Sequence, residues 1–115
     1  MSEKLKLNPD ATFKAFVFIQ RPGLEPVPVE FEFKQRSLSE LTAFNEALNE
    51  IDLIDNPARQ LAAAKEKLRE CVSGWDLDAA FTPENLDLLI ENYPNCHYAV
   101  FHRYFEEYGK ARLGN

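Results

Sequence analysis

Apolar and polar residues along the chain follow two periods, and the change from one to the other falls near Ser37. Thr12 to Gln20 (TFKAFVFIQ) is rich in β-branched and aromatic residues and predicts a strand. Val27 to Lys34 alternates cleanly, with Val27, Val29, Phe31 and Phe33 on one face and Glu30, Glu32 and Lys34 on the other. Between them, Pro22-Gly23 suits the central positions of a type II turn, because proline fixes φ and glycine accepts a positive one. The pattern is that of a β-hairpin, with Pro26 and Pro28 marking an edge at the entry of its second strand. Residues 1–11 are polar and end in the turn signal Asn8-Pro9-Asp10. They predict a loose arm, in which Leu5 and Leu7 have the spacing of a short additional strand.

Beyond Ser37 the period becomes helical. Ser37-Leu38-Ser39-Glu40 fits a capping box, and Leu41, Phe44, Leu48 and Ile51 form one apolar stripe. Asn56-Pro57 restarts a helix with Asn as N-cap and Pro at its first position. Leu61, Leu68, Val72 and Trp75 mark the buried side of that helix, which should falter at Gly74. Thr82-Pro83-Glu84 opens a third helix that carries Leu86, Leu89, Ile90 and Tyr93 and stops before Pro94. A fourth runs from about Asn95 to about Gly109. The order predicts an α+β fold in one domain over residues 1–115: an antiparallel hairpin followed by about four helices packed as a small bundle.

Composition narrows the function. The chain has 115 residues, 45% of them apolar, and a net charge of −6. An acidic balance argues against nucleic acid, where a basic stripe supplies most of the affinity, and against a polybasic membrane anchor. No apolar run approaches the roughly 20 residues that span a bilayer. The first six residues contain no apolar stretch of the kind a signal peptide needs, so the two cysteines are expected as reduced thiols in a cytoplasm. Four glycines leave no room for a dinucleotide fingerprint, a phosphate-binding loop or a nucleophile elbow.

The residues able to carry chemistry do not converge. His97 and His102 lie five apart, about 140° around a helix, which is wrong for two ligands on one face. Cys71 and Cys96 form no metal-binding pair, and Cys96-His97 are sequence neighbours that point in different directions. The expectation is no catalytic residue, no cofactor and no metal. The carboxylates are scattered, as on a solvated acidic surface.

The aromatic residues carry more information: nine Phe, four Tyr and one Trp are a large supply for so small a domain. The first strand has Phe13, Ala15, Val17 and Ile19 on one face and Phe16 and Phe18 on the other, while the second strand places charge opposite those two rings. Either helices cover both hairpin faces, or Phe16 and Phe18 meet a protein partner. The last helix carries Tyr98, Tyr104 and Tyr108 among further apolar residues, more than one stripe requires, and these tyrosines are candidate protein contacts as well.

Several strings together carry a family resemblance. They are Lys4-Leu5-Lys6-Leu7-Asn8-Pro9 leading into Thr12-Phe13-Lys14-Ala15, Pro26 to Lys34 (PVPVEFEFK), and Val72-Ser73-Gly74-Trp75-Asp76. Phe81-Thr82-Pro83-Glu84-Asn85-Leu86, Glu91-Asn92-Tyr93-Pro94 and Phe105 to Asn115 (FEEYGKARLGN) follow in order. In this order they resemble the tail assembly chaperones of bacteriophages and prophages with long, non-contractile tails, over nearly the whole chain. The resemblance implies a non-enzymatic protein of the host bacterial cytoplasm, absent from the mature virion. Its partners would be the tape measure protein, which it binds and keeps soluble, and the tail tube protein, which it helps to recruit. In many relatives a frameshift appends a tube-binding domain; here the fusion point would lie near Arg112-Leu113-Gly114-Asn115. Self-association is a further option, and neither nucleic acid nor membrane is an expected partner. The competing reading is a generic small acidic adaptor.

Overall fold

The computed structural model describes residues 3–109. Its order is β1 (Thr12–Arg21), β2 (Leu24–Lys34), α1 (Leu38–Ile51), α2 (Pro57–Cys71), β3 (Val72–Trp75), α3 (Pro83–Asn92) and α4 (Cys96–Glu106). This is an α+β fold with a three-stranded antiparallel sheet in the order β1-β2-β3. Residues 3–11 add no strand, and Leu5 and Leu7 are exposed. The residues from Arg112 to Asn115, where a fusion point is expected, lie outside the described part.

The hairpin follows its alternation. Phe13, Ala15, Val17 and Ile19 stand opposite Phe33, Phe31, Val29 and Val27 on the inner face. Lys14, Phe16 and Phe18 stand opposite Glu32, Glu30 and Pro28 on the outer one. Gly23 has φ 73°, as a type II turn after Pro22 requires. Such a turn does not match the twist of the strands it joins, and the register shifts by one residue between Ile19 and Arg21. Just outside the strands, the Gln35 N–H donates to Ala11 O at 2.9 Å. That bond sets the parity of the ladder: odd-numbered residues of both strands bond across the hairpin, and even-numbered ones turn their N–H and C=O away from it. Pro28, an even position, therefore costs β2 no bond to β1.

Helix starts behave as their sequences dictate. The Ser37 hydroxyl accepts from Glu40 N–H at 3.3 Å while Glu40 Oε1 accepts from Ser37 N–H at 2.8 Å, closing the capping box. Asn56 and Thr82 cap α2 and α3 through bonds from Arg59 N–H and Asn85 N–H, each of 3.0 Å. Arg69 and Asp87 (2.6 Å), with Lys65 and Glu91 (2.6 Å), tie α2 to α3.

The expected extension of the second helix to about Gly74, with Val72 and Trp75 on its buried side, is overturned. Val72 and Trp75 fit a helical stripe with Leu68, but the helix ends at Cys71 and Val72–Trp75 pairs with the far edge of β2. The even-numbered residues of β2 need partners on that side. Asp76 supplies them at Glu30, donating its N–H to Glu30 O at 3.1 Å and accepting from Glu30 N–H at 3.0 Å. Ending the helix one turn early exchanges its last bonds for ladder bonds to that edge and buries Val72 in the core. Trp75 is half-buried, packs edge-on against Phe81 with centroids 5.1 Å apart, and donates from Nε1 to Ala79 O at 2.8 Å. We expect Trp75→Ala to cost roughly 2–4 kcal/mol, below the full-burial range because part of the ring meets water. A lower denaturant midpoint at unchanged slope is the measurement; an unchanged midpoint with lost partner binding would instead make it a contact residue.

The core lies between the inner sheet face and the helices. Tyr104 and Phe33 are fully buried, with Phe13 stacked on both at 5.9 and 5.4 Å. Arg36 closes this corner: its guanidinium lies 4.0 Å from the Phe44 centroid and donates to Tyr104 Oη (3.1 Å) and Glu70 O (2.8 Å). The fourth helix is shorter than expected, because Glu107 to Gly109 form a turn, with Gly109 at φ 111°.

Candidate partner-binding surfaces

The five aromatic candidates part into two groups. Phe16 and Phe18 are 50% and 60% exposed, and Tyr98 is 51% exposed. Tyr104 has no exposed surface, and its hydroxyl donates to Lys34 O at 2.7 Å while accepting from Arg36. Tyr108 is half-buried, edge-on to Phe13 at 5.7 Å, and its Oη accepts from Arg36 N–H at 2.9 Å. Helical geometry explains the split. Six residues from Tyr98 to Tyr104 turn the helix by about 240°, whereas Tyr104 and Tyr108 lie four apart and share the inner face. Tyr104 thus offers no surface to a partner.

Phe16 and Phe18 form a patch because a strand repeats every two residues and β1 puts both rings on the outer face. Pro28 stands opposite Phe18 and extends it. Leu38, Leu53 and Leu88 are also exposed, but they sit apart on three different segments. Two neighbouring rings on a sheet face are the kind of surface that contacts a partner.

A groove of about 320 Å³ runs beside the patch, bounded by Phe16, Val17 and Phe18 on β1 and by Ala99, His102 and Arg103 on α4. Sequence reading missed it, since it exists only where α4 lies along the edge of the sheet. A larger cavity, about 350 Å³, opens between α1, α2 and α4, and its lining includes apolar Leu48, Leu61 and Phe105 and polar Asn49, Gln60 and His97. His97 is 7% exposed, and its Nδ1 has no hydrogen-bond partner among the described residues. Burial holds its pKa below the usual imidazole value, so the folded state keeps it neutral.

A depressed histidine pKa means that below about pH 6.5 the unfolded chain takes up a proton that the folded chain refuses. His97 therefore destabilises the fold as pH falls from that value through its own lower one, and has no such effect above. Denaturant unfolding between pH 7.5 and 5 should show a steeper loss of stability for the wild type than for His97→Gln. Parallel curves would show that the ring is solvated.

Cys71 and Cys96 are buried free thiols, pushed up by burial to about 12 and about 11. Among the described residues, no group of three or more His, Cys, Asp and Glu side chains is placed to hold a metal ion. No described helix is long and apolar enough to cross a membrane.

A family model described as phage tail assembly chaperone matches residues 1–115. No curated protein and no solved structure matches the chain.

Proposed function

Since this chain belongs to the phage tail assembly chaperone family, we propose that it binds the tape measure protein, keeps it soluble and helps to bring tail tube subunits to it. The observation that carries this reading is the exposed pair Phe16 and Phe18, set on a sheet face over which no described helix lies. A long, amphipathic tape measure chain aggregates through bare apolar surface, and a small acidic protein that covers such surface lends it charge in exchange. Repeated copies along one chain gain from effective concentration without any new contact. Release follows from competition by tube subunits for the same partner, which is mass action and needs no chemical step. In this reading the protein acts without catalysis, inside the host cell, and leaves before the tail is finished.

Coexpression with the tape measure protein of the same tail gene cluster tests it. The tape measure should stay in the soluble fraction with this chain present and pellet without it. A tape measure that pellets in both cases would leave the generic adaptor as the better reading.

A further inference from the structure

We propose that the free edge of β1, together with the groove between it and α4, takes up an extended segment of a partner chain as a further strand. By the ladder parity, Lys14, Phe16 and Phe18 turn their backbone N–H and C=O away from β2. Among the described residues nothing bonds to those groups. A strand laid against them gains main-chain bonds along that edge, and its alternate side chains divide between two surfaces. One set enters the groove between Val17 and Ala99; the other lies beside the rings of Phe16 and Phe18. Strand edge and flanking helix thus supply affinity from the backbone and selectivity from the groove.

Charge selects the occupant. β1 contains Lys14 and Arg21 and no acid, although the chain as a whole carries −6. On the helix side Arg103 borders the groove but is already paired with Glu106 at 3.0 Å and Glu107 at 2.8 Å, so the positive charge offered to an occupant is that of the strand edge itself, Lys14 above all. The segment is therefore extended, apolar at alternate positions, and carries a carboxylate flanking them. A second copy of β1 would bring two more cations and no acid to the same edge, which disfavours self-pairing. The reading rests on the proposed function only for which protein donates the segment.

The test uses a blocked ten-residue peptide of alternating valine and threonine with glutamate at both ends, titrated into the whole chain and followed by amide hydrogen exchange. Exchange at Lys14, Phe16 and Phe18 should slow at least tenfold, with little change at Ala15 and Val17, which already bond to β2. The Phe16→Ser variant keeps the edge donor; Phe16→Pro loses it without touching the β1–β2 ladder, as Pro28 shows for β2. Peptide binding should be about tenfold weaker in the proline variant than in the serine variant. Equal binding by the two folded variants, or peptide binding without amide protection, would overturn strand addition. So would no peptide binding, or protection that rises with protein concentration alone, which would assign the edge to a second copy. If the proline variant unfolds, the wild-type exchange pattern decides. The same exchange experiment on the tape measure complex separates the two proposals. A soluble complex with unprotected edge amides leaves the chaperone reading standing and removes strand addition. An edge that binds the peptide while the tape measure pellets does the reverse.

Discussion

Tyr104→Ala should lose about 4–6 kcal/mol of stability, comparable with the whole margin of a small domain, so that the variant is mostly unfolded at 37 °C. The ring is fully buried against Phe13, Phe33, Phe44, Phe105 and Tyr108, with centroids 5.4–5.9 Å away. Removing it leaves a cavity that rigid neighbours fill only in part. It also strands the Lys34 carbonyl and one Arg36 donor, and each buried polar group left bare costs about 1–3 kcal/mol. Burial pushes the phenol above its usual range, so it remains a donor throughout ordinary pH. Tyr104→Phe isolates the hydroxyl and should cost only about 1–2 kcal/mol. Chemical denaturation of both variants gives the comparison. A folded Tyr104→Ala protein that had lost its partner would return the residue to the contact surface where its sequence spacing had grouped it.

The double change Phe16→Ser and Phe18→Ser should do the opposite, leaving the melting temperature within a few degrees of wild type while releasing the tape measure protein to the pellet. Both rings already meet water over half or more of their surface, so little burial is lost on folding. Burying a whole Phe side chain contributes roughly 1.5–3 kcal/mol. Covering the exposed halves of two therefore contributes about that much to binding, or roughly 10–100-fold in affinity. Sedimentation after coexpression and a melt of the purified double variant are the two readouts. A variant that unfolds would place both rings in the core, and the search would move to Tyr98 and the cavity beside it.

Much of this fold was legible in the chain because local features were enough to specify it. The period changes at Ser37, and a capping box, two Asn/Thr–Pro helix starts and a Pro-Gly turn all form where their residues stand. The inner and outer faces of the hairpin were legible too, since alternation leaves one register that buries Phe31 and Phe33. Val72 to Trp75 was not. Its spacing satisfies a helix and a strand equally, and the decision came from the unpaired edge of β2, about 40 residues away in sequence.

The candidate surface divides along the same line. The sequence alone determined that β1 has two apolar faces and that Phe16 and Phe18 share one of them, because a strand's period needs no knowledge of its neighbours. Only the tertiary structure decided that no described helix covers that face, that Tyr104 and Tyr108 turn inward while Tyr98 turns out, and that α4 lies along the free edge of β1 to form a groove. Exposure and juxtaposition depend on which elements pack together, and that choice is set by the whole core at once rather than by any segment's own pattern.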